Sequence, residues 1–401
     1  MRTLLLIFLL LPLITRAQTP KSLVSFGQAD SLYSNILKEK RELLIYCPEV
    51  DTNYFEQPSF PVLYLLDGDA HFAALQTVIQ LLSNNGNTAL SQMIIVAISN
   101  TNRTRDLTPS ADPEQAGSGG AEQFTAFLEK ELLPYIDSKY PTAPYRIFSG
   151  HSLGGLLVVN TLLHHPRLFN AYIASDPTIF WNNSRILPTV DSLLEHQDFT
   201  NKRFYLGVAH TMNQAMDTIQ VRKDNAMGSI HTTAILQLAD KLKKHPGNHL
   251  NWSYKYYEND YHNTVPFIAY YDGLRSIFRQ YWFPTYLYPD KSNADSLRTL
   301  IISHYKALSK DMGYTVRPNE WELNQMGYHH LSQKNYAKSL MFFQLNIEYY
   351  PKSYNTYDSM GDYYRETGDS ARAVSCWKRS LSLKLVPRVQ EKVDRITTAT
   401  R

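Results

Sequence analysis

Two cysteines are all that the 401 residues contain, and Cys47 and Cys376 stand near opposite ends of the chain. That spacing builds neither a disulfide framework nor a cysteine metal site. Charge of one sign is equally scarce. Forty Lys and Arg against 37 Asp and Glu leave a formal net charge of +3, and no long run of like charge occurs. The electrostatic footprint of a nucleic-acid binder is therefore missing, and no nucleic-acid partner is expected. Charged residues make up only 19% of the chain and hydrophobic ones 43%, a balance that excludes both dominant disorder and a coiled coil. No apolar run reaches the roughly 20 residues that span a bilayer. What remains is an ordinary globular composition, long enough for a large core and two domains.

The start of the chain reads as a targeting segment. Arg2 precedes an apolar run from Leu4 to Ile14, and Thr15-Arg16-Ala17 puts small residues at −3 and −1 of a cut before Gln18. This is the three-part layout of a secretory signal peptide over residues 1–17. No Cys follows the run, so no lipid anchor is suggested. The mature protein is expected to be near neutral, periplasmic or secreted, without a membrane span and with its two cysteines unpaired.

From about 22 to 283, short apolar or β-branched runs alternate with amphipathic segments. The pattern predicts strands at 41–47, 62–66, 93–98, 145–148, 171–174, 204–208 and 252–257, and helices including 72–82, 121–136, 154–164 and 230–243. Nearly continuous apolar strands in alternation with helices predict a doubly wound, mostly parallel α/β sheet covered on both faces, over a unit 18–285. Ligands of such sheets bind at the carboxyl ends of the strands.

Beyond Pro284 the strand pattern stops. A helical linker is expected over 286–319, with a helix at 295–309. Over 320–401 a repeat appears: Gly327 and Gly361 are 34 residues apart, Met326 matches Met360, Phe343 matches Trp377, and Pro351 and Pro387 follow the two units. The period and offsets resemble tetratricopeptide repeats, each unit a helical hairpin in a small all-α domain. Such repeats serve either as a groove for a protein partner or as an appendage that shapes the entrance of the main domain.

Gly150-His151-Ser152-Leu153-Gly154-Gly155 follows a predicted strand and opens an apolar helical run. G-x-S-x-G in strand–turn–helix context lifts the serine hydroxyl off the sheet and aims the next backbone N–H groups at developing negative charge. Ser152 is thus the candidate nucleophile, and Leu153 supplies one oxyanion donor. A hydroxyl needs a base, usually His, and in this arrangement the chain order is Ser, acid, His. His262 follows the last strand and fits. His164 and His165 end a helix, His245 and His249 lie in a polar turn, and His329 and His330 lie in the repeats. The acid should follow the strand 204–208, which offers Asp217 and Asp224. Asp176 after the strand 171–174, or a dyad helped by Glu258 and Asp260, are alternatives, and Asp224 is taken as the expectation. The second oxyanion donor is expected from the N–H of Asp69, where Val62-Leu63-Tyr64-Leu65-Leu66 runs into Asp67-Gly68-Asp69. His151, inside the elbow, is expected to line the substrate site. No metal or organic cofactor is implied.

Leu65-Leu66-Asp67-Gly68, Asn102-Arg103-Thr104-Arg105-Asp106-Leu107-Thr108-Pro109, the elbow, and His262-Asn263-Thr264-Val265-Pro266 together resemble the "putative esterase" branch of α/β hydrolases. That branch includes enterochelin-type siderophore esterases, esterase D, feruloyl esterases and bacterial mycolyltransferases, and the similarity spans roughly 44–283. The resemblance implies Ser152 as nucleophile, His262 as general base, and the amides of Asp69 and Leu153 as oxyanion hole. It also makes Trp181, in Asp176-Pro177-Thr178-Ile179-Phe180-Trp181, a wall of the acyl pocket. Siderophore esterases often carry a Glu soon after the strand equivalent to 204–208, whereas His210-Thr211-Met212-Asn213 holds no acid. Arg103 and Arg105 are either substrate anchors or structural partners of Asp106, and the structural role is taken as the expectation.

The expectation is an exported serine carboxylic-ester hydrolase working through an acyl-enzyme on a siderophore or related lactone ester. A carbohydrate acetyl or feruloyl esterase, or an acyltransferase, would use the same residues. A partner-binding scaffold built on the helical repeats is the alternative of another class.

Overall fold

The computed structural model describes residues 26–49, 58–83, 89–283 and 293–399. The segment 1–17 read as a signal peptide lies outside these residues. The described residues form eight strands: β1 (Gln28–Ser34), β2 (Glu39–Tyr46), β3 (Phe60–Leu65), β4 (Ile94–Ile98), β5 (Thr142–His151), β6 (Ala171–Ser175), β7 (Arg203–Ala209) and β8 (Asn251–Tyr257). They make one sheet in the order β1-β2-β4-β3-β5-β6-β7-β8. β2 runs antiparallel to both β1 and β4, and every pair from β4 across to β8 is parallel. This is the doubly wound, mostly parallel sheet that the alternation of runs predicts. β1 is an addition: it is largely exposed or half-buried, so no apolar run announces it.

Helix α1 (Gly68–Ser83) follows β3. The short α2 (Arg103–Leu107) and α3 (Ala121–Phe127) follow β4, and α3 continues through a π-helical stretch (Leu128–Leu132) into α4 (Leu133–Lys139). α5 (Leu153–His164) follows β5, α6 (Trp181–Ser184) and α7 (Leu187–His196) follow β6, α8 (Met227–Lys244) precedes β8, and α9 (Val265–Ile277) follows it. Strands β3 and β4 are buried along their whole length, because helices cover both faces. Val62 and Tyr64 face one layer with Phe124, Leu156 and Ile235. Leu63 and Leu65 face the other with Leu75, Ala269 and Leu274.

Among the described residues six further helices follow: α10 (Ala294–Met312), α11 (Glu320–Ser332), α12 (Tyr336–Tyr349), α13 (Tyr354–Glu366), α14 (Ser370–Leu383) and α15 (Pro387–Ala399). The 34-residue spacing has a steric cause. A Cβ on Gly327 would stand 2.4 Å from the Phe343 ring, and one on Gly361 would stand 2.3 Å from Nε1 of Trp377. In each hairpin a large aromatic of the second helix lies directly on the glycine of the first. The apolar packing runs through position 319: Ile301 and Leu308 of α10, Leu323 of α11, and Phe342 and Leu345 of α12 share one layer with β3 and α9.

Strand register sets the site. His151 pairs with Ser175, and Ser175 pairs with Gly207. The residues that come next, Ser152 and Asp176, therefore leave neighbouring strands at the same level, on the carboxyl edge.

Candidate active site

Ser152 stands between β5 and α5 with φ 59° and ψ −119°, a left-handed backbone that costs a non-glycine residue energy and is the mark of a nucleophile elbow. The bend is closed tightly. A Cβ on Gly150 would lie 2.5 Å from the backbone carbon of Gly154, so glycine is required there. The Thr178 N–H donates to the Ser152 carbonyl at 3.0 Å and ties the loop after β6 to the elbow.

His262 lies on the loop between β8 and α9. Its Nδ1 is 2.6 Å from Oδ2 of Asp176, and its Nε2 is 3.1 Å from Oγ of Ser152. A carboxylate only accepts, so Nδ1 carries the proton and the bare Nε2 faces the serine hydroxyl. Thr178 Oγ1 is also 3.1 Å from Ser152 Oγ. Asp176 itself is fully buried and has φ 43°. Burial works to raise its carboxyl pKa, but hydrogen bonds from His231 and His262 and the N–H of Ala209 outweigh burial and hold the pKa well below the usual range. Asp176 Oδ1 takes the Ala209 N–H at 2.9 Å, and Oδ2 takes a second imidazole, Nε2 of His231, at 2.8 Å.

The sequence expectation for the acid is corrected here. The carboxylate of Asp224 accepts from the Ser229 hydroxyl, and the carboxylate that contacts His262 is that of Asp176. Asp217 caps its own turn through the N–H groups of Ile219 and Gln220. After β7, where an acid is usual, His210 contacts the hydroxyl of Tyr256. A second correction concerns His151. It does not line the cleft: its buried ring donates from Nε2 to the His262 carbonyl at 2.7 Å, with ring centroids 4.5 Å apart. Burial, then the neighbouring His262 and His71, push its pKa down to about 4, so it is a neutral brace behind the loop of His262.

The cleft above Ser152 has a volume of about 490 Å³, and Leu153, Thr178, Phe180, Trp181, His231 and His262 are among the residues that line it. Trp181 is fixed by donating from Nε1 to the Ser110 carbonyl at 3.0 Å. Leu153 begins α5 and Asp69 lies in the first turn of α1, where N–H groups have no intrahelical acceptor. Asp69 is outside the cleft lining, and its carboxylate accepts from Ser99 Oγ at 2.8 Å. Arg103 does not pair with Asp106. It forks onto Asp67 at 2.6 and 3.0 Å and reaches the His151 carbonyl at 3.3 Å, bracing the elbow. Arg105 does pair with Asp106, at 2.7 Å.

Asp176, His231 and His262 bring three donor atoms within 4.8 Å of one another. Both ring N–H groups point at one carboxylate oxygen, which is a hydrogen-bonded set rather than a ligand set, and a cation drawn into it would take His262 away from Ser152. Thr178 and His231 are the site residues that sequence reasoning missed. No local motif marks His231, which reaches Asp176 only because α8 packs beside β7.

Residues 34–262 match the profile of a family described as "Putative esterase". A ferri-bacillibactin esterase of Bacillus subtilis is 36% identical over 152 residues, 33% of this chain and 52% of the relative. A siderophore triacetylfusarinine C esterase of Aspergillus fumigatus is 32% identical over 146 residues, 34% of this chain and 50% of the relative. The chain thus spans about half the length of the curated relatives it matches. The crystal structure of an IroE-like serine hydrolase from Shewanella oneidensis superposes with a TM-score of 0.69 at 30% identity, over 80% of this chain and 99% of that one.

Proposed function

This chain belongs to the "Putative esterase" family, and from that premise we propose that it is an exported serine hydrolase of siderophore-type esters. The observation that carries the reading is the unbroken line of contacts from Asp176 through His262 to Ser152 at the carboxyl edge of the sheet. The substrates named for the relatives, ferri-bacillibactin and triacetylfusarinine C, support the substrate class. The leader-like segment 1–17 supports export. The reacting unit in this reading is 18–285, and the helices from Ala294 onward are a tail packed against it.

Ser152 Oγ adds to the ester carbonyl carbon while its proton passes to His262 Nε2. Asp176 holds the ring in the required tautomer and faces the imidazolium that forms. The backbone N–H of Leu153, in the cleft lining, takes the oxyanion. Collapse breaks the carbon–alkoxide bond, the alcohol leaves with the proton from His262, and the acyl group stays on Ser152. Water then adds to the acyl carbon, giving its proton to Nε2. The acid is released as Ser152 recovers that proton.

The test is turnover of a triester siderophore, apo and ferric, by wild type and S152A. Release of the monomeric hydroxy acid by wild type alone is expected. Equal turnover by S152A refutes the mechanism, and rapid cleavage of aryl esters with no siderophore cleavage refutes the substrate.

A further inference from the structure

We propose that His231 is a positioning residue for ester hydrolysis, a second imidazole that fixes the Asp176 carboxylate and limits how strongly it supports His262. The inference rests on the reading of Asp176 as the acid of the site. His231 and His262 donate to the same oxygen, Oδ2, at 2.8 and 2.6 Å. The carboxylate only accepts, so His231 Nε2 must carry its proton. Oδ1 is held by the Ala209 N–H, and Asp176's own N–H is held by the Gly207 carbonyl at 2.8 Å.

His231 is itself buried. Its ring is set edge-on to Phe180 and to His262, with centroids 5.3 and 5.1 Å away. Those contacts fix its orientation in the first turns of α8. The acid here follows β6, and the end of β7 holds its Oδ1 and its N–H through Ala209 and Gly207 but leaves Oδ2 to the two imidazoles. α8 adds the second donor on Oδ2 through His231.

Two consequences follow from two donors on one oxygen. The carboxylate plane is pinned with Oδ2 toward His262, which preserves the near-attack geometry of Ser152. The negative charge on Oδ2 is also shared, so the His262 imidazolium is stabilised less than by a singly bonded carboxylate. The other titratable and charged groups around His262 are His151 at the end of β5, Asp260 on its own loop, and Arg103, which is paired with Asp67 across the cleft. None of these contacts Asp176 Oδ2.

The experiment compares wild type, H231F, H231Q and D176N on p-nitrophenyl butyrate, reading kcat/KM from pH 5 to 9, with thermal melts to establish folding. H231F keeps a ring but has no donor, and H231Q keeps a terminal N–H. H231F is expected to lose about 10- to 100-fold in kcat/KM and to move the acid limb of the profile up by about 0.5–1 pH unit. H231Q should recover most of both. Should H231F not fold, H231M removes the donor with a more adaptable chain and carries the same expectation. Wild-type rate and limb in the donorless variant overturn the inference. So does an equal loss in donorless and Gln variants with the limb unmoved, which is mere packing. If D176N is crippled while the donorless variant is normal, this inference alone fails. If D176N is normal, the acid assignment beneath it fails.

Discussion

Asp176→Asn separates the two candidate acids with one atom. The change swaps one carboxylate oxygen for an NH2 group in a fully buried position. The amide has two placements. With its oxygen toward the Ala209 N–H, the NH2 faces His262 Nδ1 and His231 Nε2. Both rings must then accept, so the proton of His262 moves to Nε2 and the ring can no longer take the Ser152 proton. In the flipped placement the NH2 faces the Ala209 N–H, and a buried donor goes unpaired at a cost of about 1–3 kcal/mol. The first placement therefore wins, and the wrong tautomer dominates. The expected loss in kcat is about 10³- to 10⁴-fold, or about 4–5.5 kcal/mol in the barrier. Asp224→Asn touches only the Ser229 hydroxyl and should stay within about threefold of wild type. Initial rates on p-nitrophenyl butyrate measure both. A loss under tenfold in D176N, or matching losses in the two variants, refutes the reasoning.

Thr178→Val removes the hydroxyl 3.1 Å from Ser152 Oγ and should lower kcat by about 2- to 10-fold with little change in KM; a steady-state comparison checks the split. His151 has its pKa depressed from 6.5 to about 4. Between those values the unfolded chain binds a proton that the folded chain refuses, so stability falls as pH drops through this window, by about 2–3 kcal/mol in all. H151F should flatten that slope in urea midpoints from pH 6.5 to 4, whereas the contribution of Asp176, whose pKa is depressed, is lost only below its unfolded value near 3.8; an unchanged slope contradicts the burial argument. Gly361→Ala drives a Cβ into the Trp377 ring and should destabilise by about 1–3 kcal/mol without changing kcat of the folded protein, as read by thermal melts beside rates at 25 °C.

The parts of the site legible in the sequence are those set by neighbours in the chain. Ser152 is marked by the glycine that a tight bend demands, and His262 by its place after the last strand. Asp176 is among the acids the sequence offers, yet chain order points to a residue after β7. What decides between Asp224 and Asp176 is the register that puts Ser175 beside His151, and register is a property of the assembled sheet. The pairing motif around Arg103 was visible, but its partner was not. Asp67 and Arg103 are joined only when α2 folds back over the carboxyl edge. In the tail, the 34-residue period was legible because glycine and aromatic meet within one hairpin. The seating of α10 to α12 on the sheet was not, since an apolar helix face does not name what it packs against.

The most direct test of the central claim is a fluorophosphonate adduct mapped by peptide mass spectrometry. A single adduct on Ser152 is expected, forming quickly in wild type, slowly in D176N, and not at all in S152A. An adduct on another residue, or undiminished labelling of S152A, contradicts it.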